Sequence, residues 1–101
     1  MSVNGTDVLF EVKENVGCMT LNRPDKFNCI STGLINGVDA AMDAFEADDA
    51  VRVILLTGAG KTFCTGADLD EVMAARQNKD NLAKFIGDIH GMLRRFEASP
   101  L

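Results

Sequence analysis

The run 51-VRVILLT-57 restricts the fold of this chain more than any other stretch. It is nearly continuous in β-branched and leucine residues and is bounded by Asp49 and Gly58, the pattern of a strand buried on both faces rather than one with a wet side. Such a strand is expected at the centre of a sheet, with neighbours along its edges and helices over its faces. The surrounding sequence offers candidates for both. Val8, Phe10 and Val12 share one face of 8-VLFEVKE-14, and 16-VGCMTLN-22 resumes after a turn at Glu14 and Asn15, so the pair reads as a hairpin. After the polar, proline-bearing loop 22-NRPDKFN-28, Ser31 or Thr32 can cap a helix. In that helix Leu34, Ile35, Val38, Ala41, Met42 and Phe45 fall on one side, with Asn36, Asp39, Asp43 and Glu46 on the other. A short acidic helix is expected near Ala67, and a longer one carries Leu82, Phe85, Ile86, Ile89, Leu93 and Phe96 at helical spacing. The class is α/β, and residues 1–101 read as one domain or one part of one, without linker, low-complexity stretch or clear repeat.

Charge and cysteine usage narrow the function classes. Fifteen acidic against ten basic residues give a formal net charge of −5, which argues against a nucleic-acid surface, because phosphate binding needs clustered Lys and Arg. The start lacks a basic and then apolar leader, and no run approaches the ~20 apolar residues of a membrane span, so a cytoplasmic address and no membrane partner are expected. Cys18, Cys29 and Cys64 are odd in number and widely spaced, which suits reduced thiols better than a disulfide framework or a CxxC metal site. One histidine, His90, leaves little from which to build a zinc centre or a Ser-His-Asp triad. No metal is expected.

Two glycine turns remain in 55-LLTGAGKTFCTGAD-68. The first resembles a phosphate loop at Gly60-Lys61-Thr62, yet Leu55 stands where that motif needs its first glycine, and Thr62-Phe63-Cys64 does not lead directly into a helix. Nucleotide-triphosphate binding is therefore not expected. The second turn, Thr65-Gly66-Ala67-Asp68, makes better sense physically. Gly66 permits a bend that residues with a Cβ resist, and a helix starting there would leave the Ala67 amide without an intrahelical partner. Such a donor can stabilise charge developing on a carbonyl oxygen, worth roughly 3 to 4 kcal/mol in known oxyanion holes. The plainer alternative is that Gly66 only turns the chain while Asp68, Asp70 and Glu71 complement a helix dipole.

Two segments carry a family resemblance. Residues 21-LNRPDKFN-28 resemble the Leu-Asn-Arg-Pro…Asn segment of the crotonase superfamily, the enoyl-CoA hydratase/isomerase family, and 63-FCTGADL-69 resembles its Phe-Cys-Ala-Gly-Ala-Asp-Leu segment. The strand and glycine turn between them sit where that family has its own, and the likeness extends over nearly the whole chain. The resemblance implies a spiral of crotonase-like ββα units, of which this chain would be the N-terminal portion. It implies an acyl-CoA thioester as substrate, with coenzyme A entering as part of that thioester and no separate cofactor. It also implies assembly of the complete protein as a homotrimer or hexamer. Ala67 would supply the first backbone oxyanion donor, while Lys26, Phe27, Asn28, Thr65, Gly66, Asp68 and Leu69 would line the adenine and pantetheine site. Lys26 would attract a coenzyme phosphate.

Departures from the family pattern matter for the chemistry. Cys29-Ile30 stands where Ala-Leu is common, a change of packing more than of function. The family's second oxyanion amide and its acid/base carboxylates lie on segments that would follow residue 101, so the chain by itself is expected to be catalytically incompetent. Hydration of a 2-trans-enoyl-CoA is the reaction implied for the complete protein, with isomerisation, another crotonase reaction, or a non-catalytic assembly module as alternatives. Outside these motifs Cys64 reads as a small buried thiol rather than a nucleophile. His90 reads as a helix-surface residue, Met42, Met73 and Met92 as core filling or helix surface, and Arg94 and Arg95 as helix-end cations that need no partner.

Overall fold

The computed structural model of the chain describes residues 3–4 and 7–101. Strand β1 (Val3–Asn4), β2 (Val8–Lys13) and β3 (Val16–Leu21) run antiparallel in sequence order. Strand β4 (Val53–Gly58) joins the far edge parallel to β3. Parallel neighbours need a long crossover, and helix α1 (Thr32–Ala47) provides it. Helices α2 (Leu69–Ala75) and α3 (Lys79–Ala98) follow, α3 lying against both α1 and α2.

The hairpin and α1 form as the periodicities require. Val8 pairs with Leu21 and Lys13 with Val16 across a two-residue turn in which Glu14 takes a left-handed φ of 58°. Val8, Phe10, Met19 and Leu21 then point to one side and are buried. All six residues of the expected α1 stripe, Leu34, Ile35, Val38, Ala41, Met42 and Phe45, are buried against them. Ser31 is the N-cap, its Oγ accepting the Leu34 amide at 3.0 Å, which satisfies one of the orphan donors of the first turn. Phe45 meets Phe10 edge to face, with ring centroids 5.7 Å apart at 86°. Gly17 makes room for that ring, since a Cβ there would stand 2.8 Å from Phe45 Cγ.

Three expectations are corrected. Strand β4 is an edge strand and not the centre of the sheet: among the described residues only β3 pairs with it. Ile54 and Leu56 lie against the core, but Val53 and Leu55 on the outer face are 49% and 54% exposed. The run is apolar on both faces, and these residues supply a partner for one edge and cover for one face. The stripe on α3 splits for a similar reason. Phe85 and Met92 are buried and Ile89 and Phe96 half-buried, whereas Ile86 and Leu93 lie on a second line that nothing described covers. Arg95, finally, is far from partnerless. Its guanidinium donates to Asp43 Oδ1 at 2.6 Å and Glu46 Oε1 at 2.7 Å, with Asp39 Oδ1 at 3.5 Å. Hydrogen bonds to Glu46 and Asp43 hold its pKa above the ordinary arginine value. The polar face of α1 thus binds α3 through one cation.

Candidate functional site

The first motif folds as a tight loop whose geometry sorts its side chains. Pro24–Lys26 form one turn of 3-10 helix, consistent with proline's fixed φ at a helix start. Phe27 and Asn28 then both take φ of 55°, an uncommon conformation for residues with a Cβ and one that marks functional loops. The amides of Lys26, Phe27, Asn28 and Cys29 close internal bonds to Arg23 O, Pro24 O, Arg23 O and Lys26 O at 2.8 to 3.2 Å. With its backbone so reversed, the loop turns Phe27 outward, 62% exposed, and Asn28 inward, fully buried. Asn28 Oδ1 accepts the Arg23 amide at 2.7 Å, and its Nδ2 donates to Ala59 O at 2.9 Å and Thr62 O at 2.7 Å. One carboxamide therefore ties the first motif to the glycine turn after β4.

The second motif lies alongside it. Gly60 turns at φ 79°, and Thr62 to Gly66 stay irregular, so no helix follows Gly60-Lys61-Thr62 to hold a phosphate. Gly66 bends at φ 108°, where a Cβ would meet no atom within 4 Å, so the requirement for glycine there is conformational. Ile30 and Ala67 form a parallel bridge in which Ile30 N donates to Gly66 O at 2.7 Å and Asp68 N donates to Ile30 O at 2.8 Å. A peptide unit is planar and trans, so its C=O and N–H point opposite ways. The Gly66 carbonyl faces Ile30, and the Ala67 N–H must face away from it. Among the described residues that N–H donates to nothing.

The bare amide has a different origin from the one expected. Helix α2 begins at Leu69, two residues past Ala67, because Asp68 is its N-cap, with Oδ1 accepting the amides of Asp70 at 2.8 Å and Glu71 at 3.3 Å. Ala67 is thus freed by the bridge and not by a helix terminus. Glu71 reaches back to take the Thr32 amide at 2.6 Å, so α2 also caps α1.

Between the two motifs lies an open cleft of about 570 Å³ lined by Lys26, Phe27, Cys29, Thr65, Ala67, Asp68 and Leu69, with Asp25 and Asp70 at its side. Six of the eight residues read from the sequence meet there. Asn28 and Gly66 do not line it, the first buried as a latch and the second shaping the backbone. Leu69 is 76% exposed, and Phe27 stands across the cleft on the other motif. Thr65 Oγ1 donates to Phe27 O at 3.4 Å. Lys26 Nζ lies 4.0 Å from Asp70 Oδ2 in an exposed pair that contributes little.

One functional residue escaped sequence reading. Arg23 donates through one terminal nitrogen to Asp68 Oδ2 at 3.0 Å and through the other to Cys29 O at 2.7 Å, and both side chains of the ion pair are largely buried, 16% and 9% exposed. Burial raises the pKa of Asp68, but the hydrogen bond from Arg23 and the amides of Glu71 and Asp70 outweigh it and hold the carboxyl below its ordinary value. Burial, and then the Asp68 charge, push the Cys29 thiol up against the pull of Arg23, which leaves it a poor nucleophile. The first motif carries three charged residues, Arg23, Asp25 and Lys26, and the second carries Asp68, but nothing in the spacing joined Arg23 to Asp68. Cys64 is half-buried against the core and His90 is on the helix surface.

Over most of its length the chain is similar to known proteins. The family model described as "Enoyl-CoA hydratase/isomerase" matches residues 11–93. A "Probable enoyl-CoA hydratase" of Rhizobium meliloti (strain 1021) is 41% identical over 80 residues, covering 79% of this chain and 31% of that protein. A "3-hydroxyisobutyryl-CoA hydrolase 1" of Arabidopsis thaliana is 38% identical over 68 residues, covering 67% of this chain and 18% of that protein. Among solved structures, an enoyl-CoA hydratase/carnithine racemase from Magnetospirillum magneticum superposes with a TM-score of 0.86 at 26% identity, over 96% of this chain and 36% of that one. The chain spans about a third, or less, of the length of each.

Proposed function

The chain belongs to the enoyl-CoA hydratase/isomerase family of the crotonase superfamily, and from that premise we propose that it carries the first oxyanion donor and part of the acyl-CoA site of a 2-trans-enoyl-CoA hydratase. The observation that carries this reading is the Ala67 N–H, bare, fixed in direction by a bridged peptide plane and set in the wall of a cleft. A donor held this way is already aimed when a thioester oxygen becomes anionic, so no reorganisation is needed at the moment of reaction. The facing loop contributes differently. The amides of Lys26 to Cys29 are spent internally, and the loop offers the exposed Phe27 ring and the Lys26 ammonium. Those groups suit the face of an adenine and a coenzyme phosphate in turn. Asn28 and Gly66 serve that site by shaping it. Reversible hydration in the complete protein, a cytoplasmic address and homo-oligomeric assembly are parts of the same proposal, and no cofactor enters beyond the coenzyme A of the substrate.

Ala67→Pro removes the donor and adds little bulk. Because that N–H makes no internal bond among the described residues, the variant should fold, while its affinity for crotonyl-CoA falls roughly five- to tenfold, the size of one ground-state hydrogen bond. Calorimetric titration reads this directly, and unchanged affinity would remove Ala67 from the site.

A second reading, an assembly module, draws support from the bare apolar residues Val53 and Leu55 on β4 and Ile86 and Leu93 on α3. It expects reversible self-association that rises with concentration in sedimentation velocity and weakens in Leu55→Lys. A monomer at all concentrations would dismiss it.

A further inference from the structure

We propose that Arg23 and Asp68 form a positioning pair that fixes the aim of the Ala67 N–H without either side chain touching the thioester. The inference rests on the oxyanion reading above and assigns Asp68 a role other than substrate contact. Both Asp68 oxygens are already occupied, Oδ1 by the amides of Asp70 and Glu71 and Oδ2 by Arg23. Groups of the protein itself thus take three of the roughly four acceptor positions of the carboxylate.

The geometry assigns the pair its task. The direction of the Ala67 N–H depends on the Ile30 bridge, which is a single isolated bridge and not part of a longer ladder. On the N-terminal side Gly66 offers no side chain to hold the backbone, and nothing lies within 4 Å of its Cβ position. On the C-terminal side Asp68 is held at its carboxylate and at its own amide, which donates to Ile30 O at 2.8 Å. Arg23 spans both strands of the bridge, one nitrogen on Cys29 O, beside Ile30, and the other on Asp68, beside Ala67. A planar fork can staple two backbones at a fixed separation, whereas an ammonium supplies only a point charge. The staple is mostly shielded from water, so it is not screened away as a surface pair would be.

The test uses the 101-residue chain and crotonyl-CoA carrying carbon-13 at the thioester carbonyl, whose NMR shift moves downfield when an aimed donor polarises it. Asp68→Asn retains a residue that caps helices as well as Asp but weakens the charge-assisted bond. Arg23→Lys retains the charge but not the fork. In both variants the bound carbonyl should lose at least half of the wild-type downfield shift. Affinity for crotonyl-CoA should fall up to roughly tenfold, and by more than affinity for coenzyme A, which has no carbonyl to polarise at that position. The double variant should be no worse than either single one. Retention of the full shift in Asp68→Asn would overturn the proposal and leave the oxyanion reading intact. Equal losses for coenzyme A and crotonyl-CoA would overturn it too, by showing a general structural role. A wild-type complex with no carbonyl shift would take down the oxyanion reading, and the proposal with it.

Discussion

Asn28→Ala is expected to lower folding stability by about 3 to 5 kcal/mol, a large share of what a domain of this size has. The reason is what the carboxamide leaves behind. Asn28 is 0% exposed, and its removal orphans the Arg23 amide and the carbonyls of Ala59 and Thr62, now bonded at 2.7, 2.9 and 2.7 Å. A buried polar group left without a partner costs its desolvation, roughly 1 to 3 kcal/mol each. Alanine must also hold a φ of 55°, which asparagine tolerates better than other residues with a Cβ, adding about 1 kcal/mol. Water entering the vacated space would recover part of this, which is why the range is not higher. Asn28→Asp makes a sharper control, because it keeps an acceptor for the Arg23 amide while losing both donor bonds, and it should be destabilised to a similar degree. Urea denaturation measures both variants. An unfolding free energy within about 1 kcal/mol of wild type for Asn28→Ala would mean that the two motifs are joined by something other than this latch.

That latch also shows where sequence reading stops. The hairpin and α1 were legible because their signals are local: a period of two across Val8, Phe10 and Val12, a period near 3.6 from Leu34 to Phe45, and a Ser31 cap three residues from the amide it serves. The positions of the candidate site came from family resemblance, which names residues but not the atoms they use. Asn28 and Asp68 were read as ligand contacts, yet both spend their side chains on partners within the protein, some of them 31 to 45 residues distant in the chain. Arg95 and its three carboxylates on α1 were missed in the same way. Periodicity says which face wants burial and is silent on which segment supplies the cover, so the Val53 and Leu55 face of β4 and the Ile86 and Leu93 side of α3 read as core and stand open. Long-range polar pairing leaves no periodic trace, and most of the work in this cleft is done by it.

Asp68→Ala should cost about 3 kcal/mol at neutral pH, the lower end for removing one partner of a buried pair. Two losses combine: the N-cap of α2, worth about 1 kcal/mol, and the counter-ion of Arg23, whose guanidinium is only 16% exposed and cannot shed its charge. The pH dependence separates this from a packing defect. In the folded protein the Asp68 carboxyl sits below its ordinary value of 3.8, so the folded state binds its proton less readily than the unfolded chain does. Its contribution is therefore fully present above about pH 4 to 5 and is lost as pH falls through the lower, folded value. Urea unfolding at pH 7 and again near pH 3 should show the gap between wild type and Asp68→Ala narrowing as acid begins to remove the charge that the substitution removes. Asp68→Asn should lie between them at pH 7, keeping the cap without the ion pair. A gap that stays constant from pH 7 to pH 3 would mean that the missing atoms matter and the charge does not. In that case Arg23 could not be drawing the two strands together electrostatically, and the aim of the Ala67 N–H would have to come from the Ile30 bridge alone.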